Sequence, residues 1–360
     1  MLRPTTAKIK LSSLRRNVSF AKSSAPATKL MAVIKADAYG HGAVSVANTL
    51  EDSVEAFAVA SLDEAMELRD SNVSIPILIL EGIFSPNDIR QCSLNAITIA
   101  VHNSTQIDWL EQTRVENRIN CWLKIDTGMG RLGIGTENIS TCLERLRSCS
   151  HVANDFVLFT HLACADDLND KYTLTQLQLF NESTKDFSLP RSAASSAGIL
   201  GWPSSHFDWI RPGYMLFGNS PFVEDNEKYS ELEPVMTLVS EIIAIRDIPA
   251  GRSVGYGASW TAKQNSKIAT VCVGYGDGYP RQAPSGTPVL INGYRAPLAG
   301  RVTMDMITVD ITNISASVGD EVILWGNGLP LNEIATTAKT IGYELIARMP
   351  KRVPRTVIDE

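Results

Sequence analysis

Lys35 closes the run Leu30-Met31-Ala32-Val33-Ile34, five apolar residues that suit a buried strand. Ala36-Asp37-Ala38-Tyr39-Gly40-His41-Gly42 follows, a glycine-containing turn that leads into the helix-like Ala43–Leu50. In parallel α/β folds the strand end carries the chemistry, because the loops there are free to hold polar groups while the strands stay packed. Other reactive residues stand in comparable places: Arg131 in Asp126-Thr127-Gly128-Met129-Gly130-Arg131, then His161, then Ser195 and Ser196, then Arg211-Pro212-Gly213-Tyr214. Each follows, or interrupts, a short apolar run. A lysine, two arginines, a histidine and serines drawn together would make an electropositive site for a small phosphorylated or carboxylated ligand. Gly213 and Ser196 would allow main-chain and hydroxyl groups close to phosphate oxygens, where bulkier residues would block them.

The elements that must gather these residues repeat one unit. Apolar runs at Leu30–Ile34, Ala56–Ala60, Ile75–Leu80, Ala96–Val101, Cys121–Ile125, Phe156–Thr160, Arg191–Ser195 and Trp209–Phe217 read as strands. Between them Leu62–Arg69, Ser85–Cys92, Thr105–Gln112, Ile139–Ser148 and Tyr172–Lys185 have helical spacing. Eight strands alternating with helices predict a (β/α)8 TIM barrel over residues 1–230, whose chemistry belongs at the strand ends. From residue 231 the runs turn β-rich: Val235–Ile245, Ile268–Val273, Pro288–Ile291, Met306–Ile311, Glu321–Trp325 and, after a helical Leu331–Thr340, Tyr343–Ala347. Residues 231–360 are therefore expected to form a smaller, mostly β domain. Thr6–Leu11 alternates like a strand and could pair with either unit.

Composition narrows the function. The 360 residues are 44% hydrophobic and carry a net charge of −6, without a basic run. A nucleic-acid or anionic-membrane surface is thus not expected as the main partner. The six cysteines show no CxxC and no metal-ligand spacing, so neither a zinc site nor a disulfide framework is predicted. No apolar run approaches the roughly 20 residues of a membrane helix, and the first residues lack a signal core, which predicts a cytoplasmic protein.

The motif Ala32-Val33-Ile34-Lys35-Ala36-Asp37-Ala38-Tyr39-Gly40-His41-Gly42 resembles the pyridoxal-phosphate lysine motif of bacterial alanine racemases. The likeness continues through Lys124-Ile125-Asp126-Thr127-Gly128-Met129-Gly130-Arg131-Leu132-Gly133, His161-Leu162-Ala163-Cys164-Ala165-Asp166 and Arg211-Pro212-Gly213. It extends to Val254-Gly255-Tyr256-Gly257, Val273-Gly274-Tyr275-Gly276-Asp277-Gly278-Tyr279-Pro280-Arg281, Gly300-Arg301-Val302-Thr303-Met304-Asp305 and Arg352-Val353-Pro354-Arg355. Nearly the whole chain is covered, in the family's order.

The resemblance implies pyridoxal 5'-phosphate as cofactor, with Lys35 bonded to it and Lys35 and Tyr256 as the two acid/base groups. It implies a phosphate grip by Tyr39, Ser196, Gly213 and Tyr214, and Arg211 facing the pyridine nitrogen. His161 would orient Arg211. Arg131 and the backbone of Met304 would hold the substrate carboxylate. Lys124 would be carbamylated, an anion that can hold Arg131; the unmodified alternative is an ion pair with Asp126, which strand alternation puts on the same face. Ser195 stands where many relatives have Asn, and Lys351 where some have a phosphate-contacting Tyr.

Tyr256 would come from a second subunit, so a homodimer with shared sites is implied. The reaction implied is interconversion of L- and D-alanine, supplying D-alanine for peptidoglycan or serving alanine catabolism. A racemase of serine, lysine, arginine or broader specificity is the nearest alternative. A cofactor-binding barrel without catalysis is disfavoured by the β domain, and a decarboxylase of this architecture by the Tyr256 and Arg211 motifs.

Overall fold

A computed structural model describes residues 3–222 and 231–358. The expected domain boundary at residue 230 falls at the edge of the undescribed residues 223–230. β1 (Thr6–Lys10) is followed by the helix Leu11–Ser24. Eight parallel strands then close into a barrel: β2 (Lys29–Val33), β3 (Ala56–Val59), β4 (Ile77–Ile79), β5 (Ile97–Val101), β6 (Cys121–Lys124), β7 (Val157–Phe159), β8 (Arg191–Ser192) and β9 (Trp209–Ile210). All eight lie within, or one residue outside, the expected runs. The last is much shorter than Trp209–Phe217. Pro212 lacks the N–H a ladder needs, and Tyr214–Phe217 coils into a 3-10 turn instead.

The second unit is built on β10 (Met236–Ile248), β11 (Ser253–Val254), β12 (Trp260–Thr261), β13 (Ser266–Val271), β14 (Pro288–Ile291), β15 (Tyr294–Pro297), β16 (Ile307–Asp310), β17 (Glu321–Trp325) and β18 (Arg355–Ile358). Its main sheet runs β15-β14-β17-β10-β1-β18, with β13 joined to β10 and β16 to β13. The first strand belongs to this sheet, antiparallel to β10 (Ile9 opposite Met236) and parallel to β18 (Ala7 opposite Arg355). Tyr343–Ala347, expected as extended, is the helix Gly342–Ala347. Five residues of mixed polarity do not distinguish the two periods, and packing decided.

The helix Leu11–Ser24 joins the units. Its apolar stripe Leu11, Leu14, Val18 and Ala21 is buried. Buried Asn17 donates through Nδ2 to Leu216 O (3.0 Å) and Glu233 O (2.9 Å), and accepts from Glu233 N (2.9 Å). One amide thus pins both ends of the connection between barrel and sheet. No helix among the described residues is long and apolar enough to cross a membrane.

Ile9 is 1% exposed and lies on the face of β1 that packs into the core. Ile9→Ala should destabilise the protein by about 2–5 kcal/mol. Urea unfolding checks it: an unchanged midpoint would mean that β1 is not an integral strand of this sheet.

Candidate active site

The segment after β2 is a turn of left-handed helix. Ala36, Asp37, Ala38 and Tyr39 all have φ of 51–54° and ψ of 43–53°. For side chains with a Cβ this costs roughly 1–2 kcal/mol per residue, so the turn must be held from outside. Glu64 Oε1 accepts from Ala36 N (2.7 Å), and Ile34 O accepts from Ala38 N (2.9 Å). Asp37 caps the next helix, its Oδ1 accepting from Ala43 N (2.8 Å). His41 stacks on Phe217 with centroids 4.3 Å apart. Because the turn returns after about four residues, Tyr39 comes back to the side of Lys35, and both line one cavity of about 610 Å³ at the barrel mouth.

Part of that cavity is shaped for an oxyanion. Ser196 Oγ accepts from Gly213 N (3.1 Å) and Met215 N (3.2 Å), which fixes the loop after β9. A Cβ on Gly213 would sit 2.6 Å from Tyr39 Oη, so only glycine lets the phenol reach this place. Burial pushes the Tyr39 hydroxyl well above its ordinary range, with Glu64 adding to the effect, so it stays a proton donor. Tyr214 also lines the cavity. Its hydroxyl donates to Asn332 Oδ1 (2.6 Å), leaving only its main chain for a ligand.

Arg211 is 4% exposed and pinned on three sides. It donates from Nη1 to Ser192 Oγ (2.6 Å) and from Nη2 to Thr160 O (2.7 Å). Nη2 also lies 3.5 Å from His161 Nδ1. Burial lowers the guanidinium to about 10, so it is charged at neutral pH. Burial first, then Arg211, Lys124, Arg131 and Lys35, push His161 down to about 3. The ring is therefore neutral, and it can accept at Nδ1 only with its proton on Nε2. In that form it can accept from Arg211 Nη2.

Lys124, on β6, is 7% exposed and lies in the same cavity. Burial, then Arg131, Arg211 and Lys35, depress it to about 8; Asp126 alone opposes. The pair with Asp126 is not made. That carboxylate instead accepts from Gly128 N (2.9 Å) and Gly130 N (3.1 Å), and no ion pair to Lys124 occurs among the described residues. Arg131, exposed, completes the cationic wall.

Tyr256 and Met304 are not brought to this cavity. They sit on the β domain, 72% and 53% exposed. Their loops are neighbours: a Cβ on Gly257 would meet Arg301 Nη1 at 3.2 Å, and Gly276 N donates to Met304 O at 2.9 Å. Tyr343 was not foreseen. It lines the cavity from the helix Gly342–Ala347, stacked on Tyr214 at 3.6 Å and 6.4 Å from Tyr39. The one sequence signal was Gly342 beside it, where any side chain would collide with the Tyr214 hydroxyl. A tyrosine thus reaches the site although Lys351 occupies the position where some relatives were expected to supply one.

Residues 9–221 match the family described as alanine racemase, N-terminal domain, and residues 235–357 the one described as alanine racemase, C-terminal domain. The chain belongs to the alanine racemase family. It is 46% identical over 353 residues to an alanine racemase of Vibrio cholerae, covering 98% of each chain. Over 348 residues it is 47% identical to that of Shewanella baltica, covering 96% of this chain and 97% of that one. The crystal structure of the biosynthetic alanine racemase of Pseudomonas aeruginosa superposes with a TM-score of 0.95 at 42% identity, covering 99% of this chain and 100% of that one. The alanine racemase of Bacillus anthracis, solved with bound L-Ala-P, gives a TM-score of 0.90 at 30% identity, covering 100% and 96%.

Two measurements probe this site. A lysine depressed by its surroundings binds fewer protons folded than unfolded between about 8 and 10.5, so unmodified Lys124 should make stability rise with pH across that window. Lys124→Met should flatten the rise and raise stability at pH 7; chemical unfolding of the cofactor-free chain that shows the same slope in both would refute it. Gly213→Ala should leave the far-ultraviolet spectrum intact and weaken pyridoxal phosphate binding by roughly tenfold or more, since about 1.4 kcal/mol suffices for that factor. Unchanged affinity by spectroscopic titration would show that the Tyr39–Gly213 approach is not part of the anion grip.

Proposed function

We propose that this member of the alanine racemase family interconverts L- and D-alanine in the cavity around Lys35, with pyridoxal 5'-phosphate as cofactor and a second copy of the chain completing each site. The observation that carries the reading is the convergence of Lys35, Lys124, Arg131 and Arg211 beside a cradle that a single Cβ would fill. Four cations at one mouth call for anionic ligands, and a phosphate and a substrate carboxylate meet that need. The donor set also fits the cofactor: an amine at the strand end, hydroxyl and main-chain groups for a phosphate, and a pinned guanidinium for a ring nitrogen. When bound, pyridoxal phosphate supplies an aldehyde that condenses with amines and a ring that draws electrons from the α-carbon.

The chain's own residues do the rest. Tyr39 Oη, Ser196 Oγ and the main chain at Gly213 and Tyr214 bind the phosphate and fix the ring's position. Arg211, held by Ser192, Thr160 and His161, presents a permanent charge where a neutral partner would otherwise share a proton; it keeps the ring nitrogen unprotonated and the sink weak, enough for brief proton exchange. Arg131 and the main chain of Met304 from the second copy orient the substrate carboxylate. Lys35 Nζ takes or returns the α-proton on one face. Tyr256 Oη does so on the other.

Opposite faces of a planar carbon need bases on opposite sides, each within roughly 3 Å of its proton. Tyr256 is exposed and outside its own chain's cavity, which supports the two-fold dimer as the active species. Lys124 carried as a carbamate would turn one cation into an anion facing Arg131, removing a repulsion. A cytoplasmic setting accords with six unpaired thiols, five of them buried.

Tyr256→Phe should keep cofactor binding while slowing proton loss from L-alanine by at least about 100-fold, and far more than from D-alanine. Exchange of the α-proton in heavy water, run over a panel of amino acids, measures this, and alanine should dominate. Mixed with inactive Lys35→Ala, the inactive Tyr256→Phe chain should regain activity through hybrid dimers. Subunit exchange without any recovered activity would refute the shared site.

A further inference from the structure

Arg355 has no part in the cavity, yet it ends the motif Arg352-Val353-Pro354-Arg355 and touches the turn on which Lys35 and Tyr39 depend. Its guanidinium donates from Nε to Gly40 O (3.0 Å), the last residue of the left-handed turn. Nη1 donates to Pro350 O (2.9 Å) and Val353 O (2.9 Å), and Nη2 to Met349 O (2.9 Å). Nη2 also lies 3.7 Å from Asp37 Oδ2, inside the turn itself. The side chain is only 17% exposed. One planar group thus spans two segments of opposite domains, the strained turn of the barrel and the loop behind the helix Gly342–Ala347.

That helix seats directly on the turn. A Cβ at Gly40 would overlap Ile346 O, so glycine is required for the contact that Arg355 closes. Tyr343, on the same helix, lines the cavity opposite Tyr39. Arg355 itself is placed by β-sheet register, opposite Ala7 on the chain's first strand. The barrel holds the other end of the turn through Glu64, whose two oxygens accept from Ala36 N and Ala60 N, each at 2.7 Å.

We propose that Arg355 is a positioning residue for the reaction: it locks the left-handed turn from the β domain, and so sets where Lys35 and Tyr39 present their amine and phenol to the cofactor. This rests on the roles given above to those two residues. A planar fork of five N–H groups can serve four carbonyls and a carboxylate together, whereas a lysine ammonium at the same place is a point with three donors. The turn then has no partner for Gly40 O and relaxes toward right-handed backbone, which takes Tyr39 off the phosphate.

The test is Arg355→Lys, which keeps the charge and loses the fork. In the cofactor-free chain, hydrogen exchange at the amides of Ala38, His41 and Gly42 should quicken by roughly tenfold, while amides of the barrel ladder such as Ile99 and Leu158 keep their protection. Pyridoxal phosphate affinity should fall by roughly tenfold, and pyridoxal, which lacks the phosphate, should lose much less. Tyr39→Phe should weaken phosphate-form binding on the native background and add little on the Arg355→Lys background, since its hydroxyl is already displaced. Asp37→Asn keeps an acceptor for Ala43 N and removes the charge beside Nη2; it should shift the same amides in the same direction, and it keeps the test decisive if the lysine variant does not fold.

Unchanged exchange in the turn, or quickened exchange with native cofactor affinity, would overturn the proposal, as would full additivity with Tyr39→Phe. A borohydride-fixed cofactor mapped to a lysine other than Lys35 would instead defeat the reading of the site on which it rests. The exchange measurement needs no cofactor, so the two failures are told apart.

Discussion

Mutual repulsion among Lys35, Lys124, Arg131 and Arg211 is the constraint that the site is organised to tolerate. Like charges this close, two of them almost fully buried, are favourable only with anions among them. The protein supplies few. Asp126 is spent on the amides of Gly128 and Gly130, and Glu64 on those of Ala36 and Ala60. The cavity is consequently an electrostatic deficit that ligands make good; His161 and Lys124, depressed first by burial and then by the neighbouring cations, register it from two sides.

That field also explains the division of labour between rigid and strained backbone. Arg211 is held by hydrogen bonds to β8 and to the ends of β7 and β8, parts of a closed ladder that does not yield. Lys35 and Tyr39 instead sit on a turn in an unfavourable conformation. Its shape puts an amine and a phenol four residues apart on one side within a short span, which an extended loop would not do. The strain is the condition of that closeness, and Glu64, Asp37 and Arg355 offset it.

The barrel strands were legible because strands buried on both faces read as continuous apolar runs, as in Ile97–Val101 and Cys121–Lys124. Most residues of the site were legible only through their motifs. Exposed strands such as Tyr294–Pro297 and Arg355–Ile358 bury little on one side and escaped. The helix Leu11–Ser24 announces itself through Leu11, Leu14, Val18 and Ala21, and was absent from the expected elements all the same. The left-handed turn could not have been read: Ala36-Asp37-Ala38-Tyr39 contains no glycine, and nothing local favours the conformation. It exists because distant groups such as Glu64 and Arg355 hold it.

The place of β1 bears on how the molecule is made. This strand lies between β10 and β18, with Ala7 opposite Leu238 on one side and Arg355 on the other, so both neighbours are made long after it. On a ribosome, at about 5–20 residues per second, β1 waits roughly 20–70 s between its own emergence and that of its last partner. Meanwhile the eight barrel strands have all been delivered and can close without it. Until β10 (Met236–Ile248) is made, an amphipathic segment with two open edges therefore trails from the growing barrel, and it is the part of the nascent chain most in need of shielding from its neighbours.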